Sequence, residues 1–334
     1  MKRLNKKIIL IFVVICVLGI AKEPNVVWTR TYGGDMGDFG SCVQQTEDGG
    51  FVIVGTTYSF GAGDYDIYLV KTDGLGNVEW SKTFGGTNRE EGYYVQQTQP
   101  DKGFIIVGST WSFGVGLDDV YLIKTDASGN EQWYQTYGWT SNEVGYCVQQ
   151  TVDEYGMLDG YIIVGVQLGA DPGNVYLIKT DLNGNELWSR TFGGNQADVG
   201  LFVQQTHPDR GYIIVGNGYT PNNGQDIYLI KTDPYGYEQW SKKFGGVDFD
   251  RGRGVQQTYP DDGYIIVGEL RTPEGIFMAL IKTDATGNEQ WRKLLRPSST
   301  SAARGYSVQQ TADGGYIAVG QAMLEDNLWY IYAV

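Results

Sequence analysis

An acidic residue stands two positions before a glycine at Asp38, Glu90, Glu143, Asp198 and Asp250, and Ala303 takes the sixth such place. Carboxylates gathered at one rim can hold a cation or supply the acid and base of glycoside hydrolysis, so these five are the catalytic candidates. The competing reading is that each accepts backbone N–H groups and fixes a turn, which near-regular recurrence favours. A second set breaks the regularity. Tyr58, Phe60, Trp111, Phe113 and Trp139 lie in Gly-rich segments such as Ser112-Phe-Gly-Val-Gly116. Their ring faces can stack on the apolar side of a sugar while carboxylates bind its hydroxyls, which makes them the expected ligand surface. Against this stands the reading that they fold back over sheet ends. Asp64, Asp66, Asp118 and Asp119 carry oxygen donors suited to Ca2+, although their spacing completes no calcium loop. The single histidine, His207, leaves no Ser/His/Asp triad and no His-based metal site within one chain, so the residues lean away from an enzyme.

The elements that must position these residues follow from a repeat. Val-Gln-Gln-Thr begins at Val43, Val95, Val148, Val203, Val255 and Val308, at intervals of 52 to 55 residues. Each repeat carries four short segments rich in β-branched and aromatic residues, bounded by Gly, Asp or Asn, and these predict strands A to D. In the first repeat they begin at Val43, Phe51, Ile67 and Glu79, with tight turns at 47–50 and 74–77. Six such units predict an all-β fold: a six-bladed β-propeller with four antiparallel strands per blade, starting near 41, 93, 146, 201, 253 and 306. The last repeat stops after strand C, and residues 26–34 match an isolated strand D. The N-terminal strand is therefore expected to complete the last blade and close the ring. Antiparallel order puts the B–C and D–A loops, which hold all the candidates above, on one face, the top.

Trp28, Trp80, Trp133, Trp188, Trp240 and Trp291 share one place in strand D. Together with Lys71-Thr-Asp73 and Gly76-Asn77, and relatives such as Lys179-Thr-Asp-Leu-Asn-Gly-Asn-Glu-Leu-Trp188, they resemble the tryptophan-docking repeat of quinoprotein-like (PQQ-type) propellers. The chain is also similar to secreted bacterial and archaeal propellers built from VQQTxDGGYIIVG and YLIKTDxxGNxxW units. The resemblance covers 22–334 and implies architecture rather than one activity. Quinone-cofactor dehydrogenases typically have eight blades and a vicinal disulfide. This chain has no adjacent Cys pair, so PQQ is not expected and no cofactor is assigned. The Lys-Thr-Asp segment also lacks the spacing of a sialidase Asp-box.

Residues 1–21 read as a signal peptide: Lys2, Arg3, Lys6 and Lys7 precede an apolar run from Ile8 to Leu18 and a small-x-small site ending at Ala21. The run is short for a bilayer span, so no stable membrane insertion is expected after cleavage. Four of the 25 basic residues and none of the 39 acidic ones lie there, which leaves 22–334 with a formal charge of −18 against −14 for the whole chain. Such a surface repels phosphate backbones, so nucleic acid is a poor partner. Cys42 and Cys147 sit a blade apart and are not expected to pair. The expected product is a secreted, cell-surface or periplasmic binding or scaffold protein whose partner is an extracellular glycan or protein. The alternatives are a glycan-cleaving hydrolase or lyase using the top-face carboxylates, and a purely structural envelope component. The enlarged connections 152–160 and 296–305 are read as loop variation.

Overall fold

The computed structural model describes residues 28–334 apart from 170–172, 195, 222–223, 247, 299–300 and 325–327. The signal segment, with Val26 and Val27 of the expected closing strand, lies outside the described residues. Blade one comprises β1 (Asp38–Gln45), β2 (Phe51–Thr57), β3 (Asp66–Thr72) and β4 (Val78–Phe84), and blade two β5 (Glu90–Gln97), β6 (Phe104–Thr110), β7 (Asp119–Thr125) and β8 (Glu131–Tyr137). Blade three comprises β9 (Asn142–Val152), β10 (Leu158–Leu168), β11 (Asn174–Thr180) and β12 (Glu186–Phe192). In blade four are β13 (Val199–Gln205), β14 (Tyr212–Thr220), β15 (Gly224–Thr232) and β16 (Glu238–Phe244). Blade five holds β17 (Arg251–Gln257), β18 (Tyr264–Thr272), β19 (Gly275–Thr283) and β20 (Glu289–Leu295), and blade six β21 (Ala302–Gln310), β22 (Tyr316–Met323) and β23 (Trp329–Ala333). Every sheet is an antiparallel meander, and the whole is a six-bladed β-propeller.

The repeated residues hold it together. Within a blade, the buried Lys of Lys-Thr-Asp pairs with the Asp of the A–B connection: Lys71 with Asp48 at 2.8 Å, Lys124 with Asp101 at 2.5 Å, Lys231 with Asp209 at 2.6 Å and Lys282 with Asp261 at 2.5 Å. Asp73 then accepts the backbone N–H groups of Leu75 and Asn77, closing the C–D turn. Its Gly76 adopts φ +75°, which only glycine takes without strain. A Cβ there would stand 2.7 Å from the Trp28 ring, and the same contact joins Trp80 to Gly129, Trp188 to Gly236 and Trp240 to Gly287. Five of the six repeated tryptophans, Trp291 excepted, thus dock on the C–D turn of the next blade.

Between blades, the paired glutamines form a ladder. Gln44 Oε1 accepts from the Gln97 N–H at 2.7 Å, Gln96 from Gln150 at 2.7 Å, Gln204 from Gln257 at 2.8 Å and Gln256 from Gln310 at 2.6 Å. The core is divided accordingly into five clusters, one at each junction from blades one and two to blades five and six. Ile, Leu and Val from facing sheets fill them, at about 1.5–3 kcal/mol per buried side chain. Every strand A also carries a β-bulge, at Ser41, Tyr93, Tyr146, Leu201, Arg253 and Tyr306.

The seam between blades six and one is built differently. Val43 is 61% exposed, whereas its equivalents Val95, Val148 and Val203 are at 1% or less. The last sheet has three strands among the described residues. Residues 28–34 are non-strand coil lying against blade one, where Trp28 meets Phe51 edge-on at 5.8 Å and Tyr32 Oη donates to Gly76 O at 2.8 Å. The segment therefore occupies the place of a preceding strand D. Its expected ladder to β23 is not formed among the described residues.

Candidate functional site at the top face

The loops of the top face are pinned to one another across blades. Glu90 N donates to Tyr65 O at 2.8 Å, Glu143 N to Asp118 O at 2.7 Å, Asp198 N to Gly173 O at 3.0 Å and Asp250 N to Gln225 O at 2.7 Å. Side chains carried here sit on a rigid base.

The five recurrent carboxylates are occupied by backbone. Asp38 accepts from Gly34 N and from the Thr57 hydroxyl, and Glu90 from Gly86 N at 2.8 Å and the Thr110 hydroxyl at 2.7 Å. Glu143 accepts from Trp139 N at 3.1 Å, Asp198 from Gly194 N and Tyr219 N, both at 2.9 Å, and Asp250 from Gly246 N and Arg271 N, both at 2.7 Å. Each ties its own loop to the end of strand B or to its own turn, which is the turn-fixing geometry.

A further arrangement appears only in three dimensions. A methyl on Gly85 would overlap both Asp66 Oδ1 and Glu90 Oε2. The same holds for Gly138 with Asp119 and Glu143, and for Gly245 with Asp226 and Asp250. Three junctions therefore bury two facing carboxylates each. Among the described residues Asp119 Oδ1 and Asp226 Oδ1 have no hydrogen-bond partner. Burial raises the pKa of Asp66, Glu143 and Asp250, and the facing acid adds to the rise.

The four calcium candidates do not converge. Asp66 Oδ2 accepts from Ala62 N and Gly63 N, and Asp119 Oδ2 from Val115 N and Gly116 N. Asp64 is exposed, and Asp118 pairs with Arg89 at 3.4 Å. Among the described residues no three His, Cys, Asp or Glu side chains are grouped to hold a metal ion. Cys42 and Cys147 are free thiols.

The aromatic candidates divide. Phe60 leans on Tyr68 at 5.5 Å, and Phe113 on Tyr121 and Tyr134 at 5.6 and 5.1 Å, so both cover the end of their own sheet. Trp139 stays 58% exposed beside Tyr176. Trp111 carries the Arg89 guanidinium 3.6 Å from its ring centroid, and Asn88 Nδ2 donates to its carbonyl. Tyr58 stacks on Tyr65 at 4.7 Å, and Tyr65 Oη donates to Glu91 at 3.3 Å. Glu91 also accepts from Tyr93, which meets Tyr146 edge-on at 5.0 Å. Tyr58, Tyr65, Glu91, Tyr93 and Tyr146 thus form one continuous polar-aromatic ridge from blade one to blade three, flanked by Arg89 and Trp111. Burial first, then Glu91, raises the phenol pKa of Tyr65 and Tyr93, so both are neutral donors.

Sequence reasoning missed Tyr65, Arg89, Glu91, Tyr93 and Tyr146. The available signal was that the bulge position reads Ser, Tyr, Tyr, Leu, Arg and Tyr around six otherwise similar blades.

No family model and no curated protein sequence matches the chain. Among solved structures, a protein of unknown function from Dyadobacter fermentans matches with a TM-score of 0.55 at 11% identity, over 89% of this chain and 93% of that one. The Dos1 propeller matches with a TM-score of 0.51 at 9% identity, over 87% and 72%. Sqt1 of Chaetomium thermophilum, bound to the N-terminus of ribosomal protein L10, covers 86% and 83% at 11% identity with a TM-score of 0.46. The likeness of the first two is one of fold, and on that footing this chain has the architecture of a β-propeller.

Proposed function

We propose that this protein is an exported β-propeller that binds an extracellular glycan or other extracellular macromolecule through the top face of blades one to three. The observation that carries the reading is the ridge from Tyr58 to Tyr146 with Arg89 and Trp111. It departs from the repeat, leaves Tyr58 and Trp111 exposed beside hydrogen-bonding groups, and rests on loops pinned by backbone bonds. Residues shared by all blades build the ring, whereas this ridge belongs to a few blades and contributes nothing the others lack for folding. Flat rings beside carboxylate and phenol groups match a sugar's apolar face and its hydroxyls. Export rests on the N-terminal sequence pattern.

The test is a polysaccharide screen by tryptophan fluorescence, with released reducing ends assayed in the same wells. Saturable quenching without product is expected. Trp111→Ala should weaken binding by about tenfold, the scale of one stacking contact, while leaving the melting temperature within a degree or two. Release of reducing ends would replace this reading with glycan cleavage, and silence in both channels would favour a structural envelope component.

A further inference from the structure

Blades five and six carry a cluster of opposite character. Arg251 and Arg253 lie on β17 and Arg304 on β21, around one fully buried carboxylate, Glu269 of β18. Arg304 Nε stands 3.0 Å from Glu269 Oε2 and Arg251 Nη1 3.8 Å from Glu269 Oε1. One carboxylate therefore meets two guanidinium groups with a third, that of Arg253, nearby, so positive charge is in local excess on a chain whose formal charge is −14. Arg253 is the bulge residue of its blade and makes no ion pair among the described residues. Its guanidinium instead lies 4.7 Å from the Tyr306 ring centroid, while that of Arg304 lies 4.6 Å from Trp329. Among the described residues Arg253 Nε is buried without a hydrogen-bond partner. Burial lowers the Arg253 pKa, Tyr306 and Glu269 oppose the shift, and the like charges of Arg251 and Arg304 add to it.

None of this is needed to build a blade. At the Arg251 place the other blades have Phe39, Glu91, Val144 and Val199, and at the Arg253 place Ser41, Tyr93, Tyr146 and Leu201. Three like charges held together cost stability unless something neutralises them. Guanidinium forks match carboxylate and sulfate oxygens bidentately, and Tyr306 and Trp329, both 39% exposed, offer ring faces beside them.

We infer that Arg251, Arg253 and Arg304, with Tyr306 and Trp329, form a binding site for the acidic group of an anionic polysaccharide, a uronate carboxylate or a sulfate ester. The inference rests on the glycan reading above and names the ligand's charge. The long-range field of the acidic chain slows the approach of such a ligand, while the local cluster selects it. Affinity should therefore depend on contact geometry rather than steering.

The test titrates the purified full chain with polygalacturonate, dextran sulfate, neutral dextran and poly-glutamate, following tryptophan fluorescence. Acidic polysaccharide should bind and neutral dextran at least about tenfold more weakly, the scale of one charge-assisted hydrogen bond. Polygalacturonate against dextran sulfate identifies the acidic group. Arg253→Gln should weaken acidic polymers by about tenfold and leave neutral ones unchanged, because it removes a charge that no ion pair uses. Trp111→Ala should weaken both kinds alike. The melting temperature of Arg253→Gln, compared with that of the unaltered chain, shows whether the blade is intact. Equal binding of neutral and acidic polymers, unaffected by Arg253→Gln, overturns the inference while the glycan reading stands. Binding of poly-glutamate with no acidic polysaccharide overturns it in favour of an acidic protein, and absence of any acidic binding overturns it outright.

Discussion

Glu143 and Asp119 face one another across a junction, and so do Asp250 with Asp226 and Asp66 with Glu90. Two buried carboxylates that close cannot both ionise cheaply, so the raised pKa in each pair is a stability term. An unfolded chain ionises these acids in the ordinary carboxylate range. Their contribution is fully present below that range and is lost as pH rises through the raised folded values. The buried lysine pairs run the other way. Burial opposes the shift, but hydrogen bonds from Lys71 and Thr46 hold Asp48 at about 2, and Asp101, Asp209 and Asp261 are lowered likewise. Their contribution is present above the ordinary range and is lost as pH falls. The melting temperature followed by circular dichroism should therefore peak in mild acid, at about pH 4–5, and decline toward neutrality. Asp119→Asn, which places at that junction the amide that Asn174 supplies at the next, should flatten the decline. A melting temperature that does not fall as pH rises above the ordinary carboxylate range would show that the pairs do not titrate in this way.

At the scale of elements, strand A of blades one, two, four and five is fastened to that of the next blade by a glutamine. Gln256→Ala removes the acceptor facing Gln310 N and should cost about 1 kcal/mol in urea unfolding, or up to about 3 if water cannot replace it. A cost near zero would make the ladder a consequence of packing rather than a support for it. The strands, their turns and the tryptophan place were legible because they recur, and period and turn chemistry are local properties of sequence. The ridge was not, because its members come from β3's preceding loop, β5 and β9 and meet only across blades. Tyr93 and Tyr146 point where they do because an inserted residue in each bulge alters the alternation of the strand, and pairing register is invisible in one chain segment. Trp111 and Trp139 were found as unrepeated aromatics. That Arg89 would lie over Trp111, or that Phe60 and Phe113 would turn back onto their own sheets, depended on loop geometry.

The whole molecule has five junctions made by packed cores and a sixth where blade one leaves Val43 exposed. Residues 28–34 bear on that seam, since Trp28 is the tryptophan that docks on blade one. Deleting them should lower stability by about 3 kcal/mol, the scale of losing one large packed aromatic side chain, and the melting temperature by roughly 5 °C or more. An unchanged melting temperature would mean that blade one does not depend on this segment. The docking contact also has a bearing on how such a protein can change over generations. Each blade presents the same acceptors on one side and the same turn on the other, so for most junctions a neighbour is recognised by parts that every blade possesses. A gene that duplicated, lost or reshuffled one such unit would still encode surfaces that fit, with the loops of the top face free to diverge. Two junctions depart from the facing acids: at the third Asn174 stands opposite Asp198, and at the fifth Phe277 and Ala303 replace both. The fifth boundary has gone furthest toward being specific to its two blades, and they are the blades that carry the arginine cluster.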